Sequence, residues 1–120
     1  MNHDQAAPSL PLPLGAGKTY FVSRHPGSLQ WAEAQGIRID AVVPHLDIEQ
    51  IQPGDTVIGT LPVHLIAQVT ARQAHYVHLR LDLPAFLRGR ELSANDLEQY
   101  GAQLEVYTAY AVGCVNVDRK

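Results

Sequence analysis

The sequence predicts an α/β fold: an about five-stranded, mainly parallel sheet with helices on both faces. Three observations predict it. Short apolar runs, Tyr20-Phe21-Val22 and Thr56-Val57-Ile58-Gly59, alternate with stretches of helical periodicity, and that alternation builds parallel strands covered by helices. The second of these runs is short and apolar, as a strand in the middle of a parallel sheet should be. The chain of 120 residues suits one domain, and 46% hydrophobic against 18% charged residues supply a core.

The elements follow in order. Residues 1–18 form an irregular N-terminal arm, because three prolines and two glycines interrupt regular structure. GAGKT at 15–19 imitates a phosphate loop and is rejected. Position 12 is Leu where the motif needs glycine, and the segment precedes a strand instead of following one. The α/β domain spans 19–108. Its first strand covers about 19–24 and is ended by Pro26-Gly27. Ser28–Gln35 is a short helix containing Trp31, a core residue, and Gly36 stops it. Ile37–Val43 is the second strand; the alternation Ile37, Arg38, Ile39, Asp40 places part of it near an edge. Residues 47–52 are a loop or one helical turn, and Pro53-Gly54-Asp55 is a turn. Thr56–Gly59 is the third strand. Thr60 caps the next helix, Pro62 occupies its first turn, and Val63, Ile66, Ala67 and Thr70 line one face as far as about Ala74. Tyr76–Leu81 is the fourth strand and 84–89 a loop or short helix. Ser93 caps a third helix with Asp96 three residues on, and Tyr100-Gly101 ends it. Leu104–Thr108 is the fifth strand. The C-terminal tail, 109–120, either extends that strand or leaves it.

Composition excludes several classes of function. The net charge of −3 provides no broad basic surface for duplex nucleic acid. Cys114 is the only cysteine, which excludes a disulfide framework and a multi-cysteine metal site. Six histidines are present without HxH or HExxH spacing, so no metal or other cofactor is expected; Asp82, at a strand end, is the one carboxylate of interest. No apolar run is long enough for a membrane span and no leader is apparent, so the expected location is cytoplasmic. A covalent hydrolase is disfavoured because no GxSxG elbow accompanies Ser23.

The candidate chemistry lies at strand ends, where open α/β sheets bind ligands. The first strand ends in Ser23, Arg24 and His25, a hydroxyl, a guanidinium and an imidazole that all suit a phosphate. The third ends in Gly59, Thr60 and Leu61 at a helix start, where free N–H groups favour an anion. Plain helix capping explains Thr60 as well. After the fourth strand come Arg88 and Arg90 around Gly89, able to close over a phosphate or to remain a solvated loop. Basic charge is mostly arginine, seven against two lysines, and arginine grips oxyanions with a bidentate fork. These residues suit metal-free cleavage of an RNA-type phosphodiester by its own 2′-hydroxyl. Arg24, Thr60 and helix N–H groups would stabilise phosphoryl charge, and His25 would protonate the leaving oxygen.

The motifs FVSRHPG, GDTVIGTLP and RGRELS, within about residues 19–107, resemble a small CRISPR-associated family that accompanies type III CRISPR systems. The resemblance implies a stand-alone CARF-like, Rossmann-like homodimer that binds cyclic oligoadenylate. It further implies a ring nuclease that linearises cyclic tetra-adenylate and ends the signal. A binding module that sequesters the ring without cutting it is the alternative, and a structural component of a CRISPR complex is the third reading. The resemblance does not identify catalytic residues; Ser23, Arg24 and His25 as catalytic groups, and Gly59, Thr60, Leu61, Arg88 and Arg90 as ligand-binding groups, rest on the chemistry above.

Overall fold

Residues 10–118 are described by a computed structural model. The strands are β1 (Thr19–Val22), β2 (Ala41–Val43), β3 (Thr56–Gly59), β4 (His75–Arg80) and β5 (Gln103–Tyr107). The helices are α1 (Pro26–Ala34), α2 (Val63–Ala71) and α3 (Ala94–Gln99), with single 3₁₀ turns at Ile48–Gln50 and Ala85–Leu87. One five-stranded sheet has the order β2-β1-β3-β4-β5. The first four strands are parallel, and β5 pairs antiparallel with β4 from Tyr76↔Tyr107 to Arg80↔Gln103. This is the α/β class that the alternating pattern predicts.

Strand alternation sends successive side chains to opposite faces, so each central strand feeds two cores. Tyr20, Val57 and Tyr76 face one side and pack with Ile66 and Val69 of α2. Phe21, Ile58, Val77 and Leu79 face the other and pack with Trp31 and Ala32 of α1 and Leu97 of α3. Trp31 is buried, as expected, and its Nε1–H donates to Glu98 Oε1 at 3.0 Å, tying α1 to α3. Gly27, at the start of α1, is buried against the Leu92–Ser93 backbone; a Cβ there would overlap the Leu92 carbonyl oxygen.

Several boundaries differ from expectation. Strand β1 ends at Val22, and α1 begins at Pro26, whose fixed φ suits a first helical position. Only Ala41–Val43 of the expected strand 37–43 pairs with the sheet. Ile37 and Ile39 pack on the second core from irregular backbone, and Asp40 takes over instead: its N–H donates to Thr19 C=O and its Oδ2 accepts from Thr19 N–H, both at 2.8 Å. Helix α2 ends at Ala71, short of Ala74, because Gln73 reverses the chain at a φ of 62°. Thr60 does not cap α2; Pro62 holds that position in extended backbone, and its C=O accepts from Leu65 and Ile66. A residue preceding proline is disfavoured in helical conformation, so Leu61-Pro62 delays the helix by two residues. Ser93 does cap α3, in a complete capping box with Asp96. Of the arm expected over 1–18, residues 1–9 lie outside the described residues. The tail 109–118 has no regular structure; its Ala109 N–H donates to Thr70 Oγ1 at 3.1 Å.

The GAGKT segment has a structural explanation. Gly15 passes over Gly54 so closely that a Cβ would overlap the Gly54 carbonyl oxygen, and a Cβ on Gly17 would overlap the Asp55 carboxylate. Asp55 is buried and accepts from the backbone N–H groups of Lys18 (2.9 Å) and Gln52 (2.8 Å). The glycines let the arm reach that carboxylate.

At the β5 edge, the Tyr107 hydroxyl donates to Glu105 Oε1 at 2.6 Å while Arg80 binds Glu105 Oε2 at 3.2 Å. The Tyr107 hydrogen bond, with Arg80 assisting, holds the Glu105 carboxyl below its ordinary range.

Two outcomes follow from these contacts. Gly27→Ala should destabilise the protein by about 1–3 kcal/mol through backbone overlap, outweighing the gain of up to about 1 kcal/mol that alanine brings to a helix. Chemical denaturation measures this, and an unchanged midpoint would show that the Leu92 segment yields freely. Tyr107→Phe should raise the Glu105 pKa towards the ordinary carboxylate value in an NMR titration. Because folding lowers that pKa, the associated stability is present above the unfolded value and fades as pH falls through the folded one. An unmoved titration would discard the hydrogen bond.

Candidate functional site

Beyond the carboxyl ends of the strands lies a crevice of about 570 Å³. Its position follows from topology. From β1 the chain proceeds to β2 on one side, whereas β3 lies on the other. Loops therefore diverge above β1 and leave a gap, the place where ligands bind in such sheets. The registers Tyr20↔Val57 and Phe21↔Ile58 bring the β1 and β3 ends level. The crevice has an apolar floor of Phe21, Leu79, Leu81 and Leu97, with Leu92 beside it, and a polar rim of Ser23, Arg24, His25, Ser28, His45 and Thr60.

The two motifs at the ends of the first and third strands thus meet. Ser23 donates its N–H to Val43 C=O at 3.0 Å, and its Oγ accepts the His25 N–H at 3.0 Å. That turn fixes the backbone and leaves Arg24 and His25 exposed. Arg24 pairs with no carboxylate among the described residues. Three other arginines do: Arg38 with Asp40, Arg72 with Glu49, and Arg80 with Asp82 and Glu105. Arg88 and Arg90 are likewise without a carboxylate partner among the described residues, but they do not line the crevice. Leu87 is anchored in the core and Gly89 turns at a φ of 82°, leaving both arginines in solvent. Leu92, further along the same segment, reaches the crevice in their place.

Gly59 serves the protein's own packing. A Cβ there would stand 3.1 Å from Val22 O and 3.3 Å from Val22 Cβ, so the missing side chain lets the β1 and β3 ends close together. Thr60 is exposed and free of a capping duty. Leu61 half-lines the wall, and its N–H donates to Tyr76 Oη at 2.9 Å. The same hydroxyl donates to Gly59 C=O at 2.9 Å and contacts His78 Nδ1 at 2.7 Å. Burial raises the Tyr76 pKa, against a smaller opposing effect of the Leu61 N–H.

Sequence reasoning missed two of these groups. His45 follows β2 in Pro44-His45-Leu46 and would have been found by applying the strand-end rule to the second strand too. Tyr76 reads as an apolar strand residue; the signal was that a buried phenol needs a hydrogen-bond partner.

A second hollow, of about 600 Å³, opens at the amino ends of the strands beside Lys18, Arg38, Asp40 and Asp55. Its two carboxylates are occupied by backbone N–H groups, which makes it a tie between the arm and the sheet. Among the described residues no group of three or more His, Cys, Asp or Glu gathers in a metal-binding arrangement, and no helix is long and apolar enough to cross a membrane.

No curated protein and no solved structure matches the chain. Residues 20–110 match a family model described as "Putative CRISPR-associated protein (Cas_VVA1548)". That match runs from Tyr20 in β1 through β5 and takes in every strand end that forms the crevice and the motifs FVSRHPG, GDTVIGTLP and RGRELS. The chain therefore belongs to this CRISPR-associated family.

Proposed function

We propose that the protein is a metal-independent ring nuclease that cleaves cyclic oligoadenylate, cyclic tetra-adenylate in particular, and so ends type III CRISPR signalling. The observation that carries the reading is the crevice at the β1/β3 switch point, where an arginine without a carboxylate partner among the described residues and two histidines ring an apolar floor. Apolar walls suit adenine bases and the rim suits phosphates. Membership of a CRISPR-associated family supports a substrate from that defence system.

The chemistry needs little from the protein. A 2′-oxygen of the ring attacks the adjacent phosphorus, the bond from phosphorus to the 5′-oxygen breaks, and a 2′,3′-cyclic phosphate forms. Arg24 stabilises the charge that gathers on the phosphoryl oxygens. His25 gives a proton to the departing 5′-oxygen, and His45 is the imidazole available to take the proton of the 2′-hydroxyl. Ser23 fixes the turn that presents Arg24 and His25. Thr60 and Leu61 line the opposite wall, against the ligand. Arg88 and Arg90 stand outside the crevice and are given no step. A crevice of about 570 Å³ is within the range that takes one drug-sized ligand, roughly 300–1,000 Å³, and smaller than a four-nucleotide ring requires. Two crevices facing across a dimer axis would match the ring's symmetry.

The test is incubation with cyclic tetra-adenylate in excess EDTA, followed by chromatography. Linear products with 2′,3′-cyclic phosphate ends are expected. Intact ring, bound but uncut, would make the protein a sequestering module; activity restored only by added magnesium or manganese would overturn the metal-independent scheme.

Arg24→Ala should lower single-turnover cleavage by about 10²–10³ and also weaken binding, since the ground-state phosphate is already anionic. His25→Ala should lower cleavage by about 10²–10⁴ while binding persists. A His25→Ala protein cutting at the wild-type rate would remove His25 from the mechanism.

A further inference from the structure

We infer that Tyr76 and His78 form a clamp behind the crevice that positions the Gly59–Leu61 turn for the ring ligand, with His78 holding its proton on Nδ1. The effect on catalysis rests on the ring-nuclease reading; the clamp itself does not.

A count of protons at one oxygen carries the inference. Tyr76 Oη lies 2.9 Å from Leu61 N, 2.9 Å from Gly59 O and 2.7 Å from His78 Nδ1. A phenol has one hydrogen to donate and lone pairs to accept with. Leu61 N–H can only donate, so it takes a lone pair. Gly59 C=O can only accept, so it takes the hydrogen. His78 Nδ1 must then be a donor, or two lone pairs would face each other at 2.7 Å. The histidine is therefore protonated at Nδ1, whatever the state of Nε2. The site is buried at the phenol, which is 1% exposed, so these partners cannot be replaced cheaply by water.

The consequence reaches the crevice. Leu61 precedes Pro62 and lies outside α2, so no helical hydrogen bond holds its N–H. Tyr76 alone spans the turn from Gly59 C=O to Leu61 N–H, and Thr60, on the crevice rim, sits between those two anchors. Strand register makes this possible, since Gly59 pairs with His78 across the β3–β4 ladder. Tyr76 bonds the turn directly, His78 acts on it through the Tyr76 hydroxyl, and neither lines the crevice. They are positioning residues.

Two sets of measurements test this. Long-range nitrogen–proton NMR on wild-type protein should show His78 protonated at Nδ1, and Tyr76→Phe should speed hydrogen exchange of the Leu61 amide selectively. A wild-type His78 carrying its only proton on Nε2 overturns the clamp, as does unchanged Leu61 exchange in Tyr76→Phe. His78→Leu replaces Tyr76→Phe in the exchange measurement if the latter does not fold. These readouts hold even if no ring is cut. With cyclic tetra-adenylate as substrate, Tyr76→Phe and His78→Leu should raise KM about tenfold, the scale of one hydrogen bond, with kcat little changed. His78→Asn, which keeps a donor near the Nδ1 position, should restore KM to within about twofold of wild type. A purely structural role predicts lower stability in all three variants with KM unmoved, and that result would overturn the positioning role.

Discussion

The crevice beyond the strand ends depends on β1 being paired on both edges and buried on both faces. β2 and β3 flank it in parallel, Tyr20 enters one core and Phe21 the other. A strand so enclosed has no freedom to slip, because a one-residue shift would exchange its two faces. The chain must leave it towards β2 and return to its far side as β3, and that divergence opens the crevice. The close approach of Gly59 to Val22 then brings the two loops together.

The opposite end of the sheet is closed by carboxylates. Asp40 binds the backbone of Thr19 through both its N–H and its side chain, and Asp55 gathers the N–H groups of Lys18 and Gln52. Backbone donors at the start of β1 and beside β3 are thereby satisfied, as buried donors must be. The glycines of the GAGKT segment belong to this arrangement. Their resemblance to a phosphate loop reflects a shared need for close backbone approach, met here by a protein carboxylate.

Charge is divided in a way that supports the proposed chemistry. Arg38, Arg72 and Arg80 neutralise carboxylates of the chain itself. Arg24 stands at the crevice without such a partner among the described residues. A guanidinium not already committed to a carboxylate can bind a phosphate without first breaking an ion pair. Arg88 and Arg90 likewise lack a carboxylate partner among the described residues, yet lie away from the crevice, so availability and placement are separate properties.

The sequence by itself determined the α/β class, the five strands, the capping box at Ser93 and the strand-end groups Ser23–His25 and Gly59–Leu61. All of these are local: apolar runs, turn residues and caps act over a few neighbours. It also determined Trp31 as a core residue from helical spacing. Only the tertiary structure decided which strands are neighbours, that β5 runs antiparallel, that Thr60 does not cap α2, and that His45 joins the crevice while Arg88 and Arg90 do not. It alone gave Tyr76 its backbone partners, 15 and 17 residues away in the chain. The physical reason is that strand order and loop direction are set by burying both faces of one sheet at once. That is a property of the whole packed chain, which no short stretch of residues encodes.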